Sequence, residues 1–197
     1  MSLWEIEQEY ASAGYAYICG ADEAGAGPLA GAVYAAAVIL PLGLEIDGLN
    51  DSKKLTEKKR EQLFNIIQEK AVAWSINRVD EAEIDETNIL IARLKAMDMS
   101  ISALEPKADF ALIDGNRDAG IQCPHITVVK GDSRSANIAA ASILAKVTRD
   151  HYMMEMDKLY PEYGFAKHKG YPTKAHYEAL RKYGPCPIHR RSFLKKL

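Results

Sequence analysis

The sequence predicts an α/β layer fold, a sheet flanked by helices with a helical extension at the C-terminal end. Three observations carry this reading. β-rich runs open the chain, helical and strand patterns then alternate through its middle, and helical periodicity closes it, an order that suits a sheet covered by helices. The third is the run Ala139-Ala140-Ala141-Ser142, whose small side chains let a helix press closely against a sheet.

Taken in order, residues 15–22 and 31–40 are β-rich, and the short turn between them predicts antiparallel neighbours. Thr56 is placed to cap a helix that runs to about Lys70 with Leu63, Ile66 and Ile67 on its inner face. Residues 71–79 alternate as a third strand. Ile89, Leu90, Leu94, Met97 and Ile101 recur at helical spacing between Asn88 and Leu104, with Pro106 just beyond. Residues 110–114 form a short buried strand ending on Asp114-Gly115, and residues 126–129 form another. A long helix is expected from Ser135 to about Leu159. A loop over 164–173, rich in Gly, Tyr and Lys, then leads to a last helix ending near Tyr183.

The chain has 197 residues, 48% of them apolar and 26% charged, ordinary values for one globular domain with an appendage. No apolar run approaches the roughly 20 residues of a membrane span, and residues 1–8 lack the pattern of a secretory signal. Cys19, Cys123 and Cys186 are widely spaced, without zinc-ligand spacing; three reduced thiols in a cytoplasmic protein are expected. The net charge of -2 conceals an uneven distribution, because residues 167–197 hold nine Lys or Arg against the single acid Glu178. A basic tail on an acidic body suits a polyanionic partner or a solvated terminal helix, and charge alone does not separate them.

The chemistry concentrates at Asp22-Glu23, at the end of an apolar run and just before Gly25-Ala26-Gly27-Pro28. Adjacent carboxylates beside buried β-structure are costly unless a cation lies between them. Both serve one site only if the strand ends or kinks there, since neighbours in a regular strand face opposite ways. Asp114 and Asp132 likewise end apolar segments. Four acids at converging chain ends would suit hard divalent cations, which take oxygen ligands. Each acid taken alone also suits a turn or a cap, because Asp-Gly and Gly-Asp are common turn pairs. The run Gly25 to Gly31 also has the spacing of a dinucleotide-binding loop, but a strand pattern follows it instead of a helix and Pro28 lies inside it.

Together these segments resemble the ribonuclease HII (type 2 ribonuclease H) family. Asp22 to Pro28 is similar to its DEAGRGP signature, and Asn50-Asp51-Ser52-Lys53-Lys54-Leu55 to its N-D-S-K-x-L segment. Ile113-Asp114-Gly115-Asn116, the run from Val129 to Asp150, Gly170-Tyr171-Pro172-Thr173 and His189-Arg190-Arg191-Ser192-Phe193 match its remaining motifs in order. The resemblance implies an RNase H-like fold, a central mixed sheet flanked by helices, with a catalytic domain over 1–160 and a basic helical segment over 161–197 that completes the substrate-binding face. It implies Asp22, Glu23, Asp114 and Asp132 as catalytic ligands of two Mg²⁺ or Mn²⁺ ions. One ion would lie mainly between Asp22 and Asp132, and the other among Asp22, Glu23 and Asp114. Without metal, at least one of four clustered acids should take up a proton near neutral pH.

The implied reaction is hydrolysis of RNA in an RNA/DNA hybrid, and nicking 5′ of a single ribonucleotide in duplex DNA, leaving 3′-hydroxyl and 5′-phosphate ends. Gly25, Ala26 and Gly27 would read the 2′-hydroxyl through their backbone, and Tyr171 would stack on the following deoxyribose. Lys53, Lys54, Lys146, His168 and Lys169 would contact phosphates. The partner would be hybrid or ribonucleotide-containing duplex, met by a monomer away from membranes. The C-terminal Ser192 to Leu197 lacks the Gln and paired aromatics of a sliding-clamp peptide. One departure stands out: Ala26 occupies the Arg position of the family's Gly-Arg-Gly turn. A hybrid-binding protein with reduced catalysis, and another nuclease on the same fold acting on DNA, therefore remain as alternative readings.

Overall fold

The computed structural model describes residues 2–50, 52 and 55–194. Five strands, β1 (Ile18–Ala24), β2 (Val33–Ile39), β3 (Ala73–Val79), β4 (Phe110–Asp114) and β5 (His125–Val128), form one mixed sheet in the order β3-β2-β1-β4-β5. The first three pair antiparallel, and β1, β4 and β5 run parallel. The β1–β2 pairing is the one expected from the short turn.

The helices are α1 (Glu5–Ser12), α2 (Glu57–Lys70), α3 (Glu81–Glu86), α4 (Ile89–Ser102), α5 (Ala136–Leu159), α6 (Phe165–His168) and α7 (Lys174–Tyr183). Five of the starts carry a side-chain cap that accepts the third following amide: Thr56, Asp80, Asn88, Ser135 and Thr173 open α2, α3, α4, α5 and α7, satisfying one of the orphan N–H groups of each first turn. On one face of the sheet, α4 packs Ala92, Ala96, Met97 and Ile101 against Cys19, Ala21, Val33 and Ala35. On the other, α2 and the alanine-rich start of α5 cover Ala36 and Val38.

Helix α5 approaches β1 closely. A Cβ added to Gly20 in β1 would stand 2.2 Å from Ile138 N and 2.3 Å from Asn137 C, so helix backbone lies directly on strand backbone. Asn137, 1% exposed, stitches the two: its amide donates to Ile18 O (3.1 Å) and its carbonyl accepts from Leu40 N (2.8 Å). At the same helix start, the buried Glu7 of α1 accepts from Ser135 Oγ (2.6 Å) and Asn137 N (3.1 Å), a carboxylate at the positive end of the helix.

Three features differ from the sequence reading. Helix α1 is anchored by partly buried Ile6 and Tyr10 against Phe110 and Leu112, a contact that eight residues of weak periodicity do not announce. Helix α3 starts at Asp80, whose carboxylate accepts from Glu83 N (3.0 Å); it buries Ile84 only and is tied to the C-terminal segment through Asp85, which accepts from the Ser192 amide (2.9 Å). Within the expected loop, Phe165–His168 forms a helical turn because Phe165, fully buried, sits in a third core with Leu29, Ala30, Met153, Tyr163 and Leu180. That core joins the C-terminal segment to the turn after β1.

Gly20→Ala forces α5 off β1, and overpacking of this kind costs about 3 kcal/mol. For a chain of this size that corresponds to a fall of about 6–12 °C in melting temperature, read by calorimetry; an unchanged melt would show that the helix does not rest on the strand.

Candidate active site

Strand β1 does not end at Asp22. It continues through Ala24, paired with β2 to Ala24↔Tyr34, while its register with β4 stops at Ala21↔Ile113. Asp22 and Glu23 therefore alternate across the sheet, contrary to the expected kink, but they do so on the stretch that has run past its β4 neighbour. Asp22 lies on the α5 side, 5% exposed. Glu23 lies on the α4 side, where Arg93 Nη1 donates to its Oε1 at 2.9 Å. Burial pushes the Glu23 carboxyl above its ordinary range; the Arg93 cation pulls it back, and the negative charge of Asp114 pushes it up again.

Asp114 closes β4 and accepts from Gly131 N through Oδ1 (2.7 Å). A Cβ at Gly131 would stand 2.5 Å from Ile138 Cδ1 and 3.1 Å from that carboxylate oxygen, so the glycine permits the approach. Asp132, 6% exposed, occupies the single 3-10 turn Gly131–Ser133 that leads into α5. Two of the four predicted acids, Asp22 and Glu23, line a common pocket of about 210 Å³ with Gly25, Ala26, Gly27, Ser52, Ser142, Lys146, Arg149 and Tyr171. Asp114 and Asp132 are not in its lining; the Gly131 amide ties Asp114 to the turn that bears Asp132. As the side chains stand, no three His, Cys, Asp or Glu groups among the described residues are gathered as ready metal ligands.

The glycine turn is shaped from beneath by two buried arginines. Arg190, 0% exposed, donates to the carbonyls of Gly25 (2.6 Å), Ala26 (3.1 Å), Pro28 (2.9 Å) and Gly31 (2.6 and 2.9 Å). Arg149, 1% exposed, donates to Ala30, Ala32 and Lys169 carbonyls at 3.0–3.2 Å. Burial, and for Arg190 the Arg149 charge beside it, pulls both guanidinium pKa values down. Gly25 adopts φ +98°, and a Cβ there would stand 2.1 Å from Arg149 Nε, so only glycine fits over the arginine. In a trans peptide the N–H points opposite the C=O. With the Gly25 and Ala26 carbonyls turned onto Arg190, the amides of Ala26 and Gly27 point away from it.

Across the pocket, the Ser52 and Ser142 hydroxyls meet at 2.6 Å. Arg60 holds the Ser52 and Leu55 carbonyls (3.0 and 2.6 Å). Lys146 lines the pocket with Nζ 2.6 Å from Asp150 Oδ1; burial lowers its pKa and Asp150 partly restores it. The Tyr171 ring, 43% exposed, lies over Gly27, with Cε1 3.7 Å from where a Cβ would be.

Other expected contacts fall elsewhere. His168 is 9% exposed, and both ring nitrogens are occupied, Nε2 by the Tyr163 carbonyl (2.8 Å) and Nδ1 by Gly170 N (3.2 Å). It supports the loop and has no nitrogen left for a phosphate, which corrects the expectation. Lys169 lies outside the pocket lining, with Nζ on Ala166 O at 2.6 Å. Lys53 and Lys54 lie outside the described residues. The basic tail is also less exposed than its count suggests, since Arg190 is wholly internal. Sequence reasoning gave no role to Arg93, Arg149 or Arg190. Arg149 and Arg190 do stand inside the quoted motifs, and a cation within an otherwise small-residue helix was the available signal.

The donor set fits hard cations. All four acids offer oxygen, Glu23 Oε2 is buried with no hydrogen-bond partner, and the like charges of Glu23 and Asp114 disfavour one another, as expected of a site that gathers acids. The sequence model of the family described as Ribonuclease HII matches residues 19–196. The chain belongs to the ribonuclease HII family. It is thus a type 2 ribonuclease H, a metal-dependent hydrolase that acts as an endonuclease. The ribonuclease HII of Ruminiclostridium cellulolyticum is 56% identical over 193 residues, 98% of this chain and 76% of that protein. Ribonuclease H2 from Pyrococcus horikoshii OT3 superposes with a TM-score of 0.73 at 27% identity, covering 90% and 93% of the two chains. The RNase HII of the PCNA:RNase HII complex from Archaeoglobus fulgidus does so at 0.75 and 22%, covering 89% and 94%. The latter shares the fold. Ribonuclease HII architecture accounts for the mixed sheet.

Arg190→Lys replaces a five-donor fork by a single ammonium. Each buried carbonyl left without a donor costs about 1–3 kcal/mol, so a ribonuclease HII with this change should lose about 3 kcal/mol of stability by denaturant melt and cleave at least tenfold more slowly. Wild-type values of both would remove Arg190 from the construction of the turn.

Proposed function

We propose that the chain cleaves the RNA strand of RNA/DNA hybrids and nicks duplex DNA on the 5′ side of a single embedded ribonucleotide, leaving 3′-hydroxyl and 5′-phosphate ends, as a step in ribonucleotide removal from the genome. The observation that carries this is the one pocket in which two acids, the glycine turn and Tyr171 meet. The 2′-hydroxyl separates RNA from DNA, and the Ala26 and Gly27 amides, turned away from Arg190, are suited to meet it without help from side chains. The half-exposed Tyr171 ring over Gly27 is suited to stack on the next sugar, which makes an RNA-to-DNA junction the preferred cut. Lys146 and Lys169, with Lys53 and Lys54, orient phosphates.

Asp22, Glu23, Asp114 and Asp132 would hold divalent cations, Mg²⁺ or Mn²⁺. Bound there, the ions supply charge neutralisation at the departing oxygen and acidify the attacking water. Asp22 and Glu23 face the pocket directly, and the Gly131 amide on Asp114 keeps that acid beside the Asp132 turn. The catalytic unit is 1–160, with 161–197 building the reading side through Arg190 and Tyr171. The chain would act on nucleic acid in the cytoplasm as a monomer; its three cysteines are free, which suits a reducing compartment.

A labelled DNA duplex with one ribonucleotide, assayed with Mg²⁺, Mn²⁺ or EDTA beside an all-DNA control, tests the reading: one metal-dependent nick 5′ of the ribonucleotide supports it, and cuts in all-DNA duplex sink it. Asp132→Asn should drop cleavage to background while duplex affinity by anisotropy stays equal or rises, because one negative charge leaves the site; weaker binding would count against the ligand assignment.

Ala26→Arg adds a cation at the pocket wall, and a charge-assisted contact to phosphate is worth roughly 1.5–3 kcal/mol. Substrate affinity or turnover should rise at least tenfold, with junction preference retained since the turn carbonyls remain on Arg190; unchanged kinetics would show that the guanidinium is dispensable.

A further inference from the structure

Away from the pocket, the C-terminal core holds a dense group of titratable side chains. His168, His176 and His189 are 9%, 0% and 2% exposed, and Cys186 is 7% exposed. Hydrogen-bond directions assign the ring protons of two of them as a chain. The Cys186 N–H donates to His189 Nδ1 at 3.0 Å, so that nitrogen carries the lone pair and Nε2 carries the proton of the neutral ring. His189 Nε2 faces His176 Nε2 at 3.0 Å, which must then accept. His176 Nδ1 is left as the donor, and it reaches the Tyr171 carbonyl at 3.0 Å. The second lone pair of that carbonyl takes the Thr173 amide at 2.8 Å.

The order is therefore one-way, from the Cys186 amide through His189 and His176 to Tyr171. A second proton on either ring breaks it. On His189 the proton would sit at Nδ1 against the Cys186 N–H, and on His176 at Nε2 against the His189 N–H, donor against donor in each case. The groups packed on the pair offer no anion to compensate. They are His168, stacked on His176 with centroids 4.5 Å apart, Tyr163 and Phe165 with rings 5.0 and 5.6 Å from His189, and Cys186. The Arg191 cation acts on His189 in the same unfavourable sense.

We infer that His189 and His176 form a positioning relay for Tyr171, whose neutral tautomers hold the Tyr171 carbonyl and so the backbone that carries its ring over Gly27. The relay rests on Tyr171 being the ring that reads the junction. Burial, and for His189 the neighbouring His176, keeps both rings resistant to protonation, His189 down to about 4 and His176 below its usual value. The unfolded chain takes up these protons near pH 6.5, so the native arrangement loses stability as pH falls from 6.5 toward 4 and keeps it above.

Three measurements test the relay. Imidazole nitrogen NMR at pH 7 should show His176 as the Nδ1–H tautomer and His189 as the Nε2–H tautomer; the opposite tautomers, or an imidazolium on either, overturn it. His176→Phe should raise KM on a single-ribonucleotide duplex about tenfold with kcat within twofold, and His176→Asn, whose amide can replace the Nδ1 donor, should recover most of the loss. Tyr171→Ala is the control for the underlying reading. It should raise KM as His176→Phe does. If Tyr171→Ala raises KM and His176→Phe does not, the relay fails and the reading of Tyr171 stands. If Tyr171→Ala changes nothing, that reading fails and the relay falls with it. Should His176→Phe melt below the assay temperature, the Asn variant and the wild-type tautomers decide.

Discussion

Two guanidinium groups buried on main-chain carbonyls are the constraint on which this active site depends. Arg190 and Arg149 between them hold the carbonyls of Gly25, Ala26, Pro28, Ala30, Gly31 and Ala32, and none of these bonds goes to a carboxylate. A buried charge is normally tolerated through an ion pair; here it is solvated by oriented peptide dipoles, which only a turn of this shape can present. The turn and its arginines thus require one another. Because Arg190 comes from the C-terminal segment and Arg149 from α5, three distant parts of the chain must be in place before the turn has its form. Gly25 at φ +98° is the sequence's concession to this, since any side chain there would displace Arg149.

The sheet is equally economical. β2 is buried along its whole length and carries three successive alanines, and α5 meets it with Ala139, Ala140 and Ala141, all fully buried. Small residues on both partners bring the layers together, so fixed backbone positions, rather than interlocking side chains, set where Asp22, Asp114 and Asp132 emerge. The stitches by Asn137 and the Glu7 carboxylate at the start of α5 then lock the helix in translation, and with it the turn that bears Asp132.

Much of this was legible in the residues. The strands β1 to β4 and the long helices announced themselves through periodicity and through Thr56 as a cap, because those signals are local. The acids, the glycine turn and Tyr171 stood out by type and by family motif. What stayed hidden was long-range. Nothing near Arg190 in sequence indicates that its partners lie some 160 residues earlier. His168, between two lysines, has the look of a phosphate contact until the Tyr163 carbonyl is seen to occupy it. Helix α1 depends on Phe110 for its reason to fold. Asp80 with Glu83 three residues on was a readable start signal for α3, but six residues with one buried isoleucine are too few for periodicity to show. Asp22 and Glu23 follow the same logic: alternation correctly places them on opposite faces, and only the early end of the β4 pairing explains how one pocket receives both.

Helix α5 also works as a measuring rod. It begins four residues after Asp132, supplies Lys146 to the pocket wall, places Arg149 under the glycine turn, and carries Met153 into the C-terminal core. At about 1.5 Å of rise per residue, the span from Ser135 to Arg149 is about 21 Å, and this length sets how far the Asp132 turn lies from the arginine under the glycine turn. One inserted residue anywhere in that span would turn everything beyond it by about 100°, swinging Arg149 off its carbonyls while leaving every side chain present. For this stretch, residue count constrains the site as strictly as residue identity.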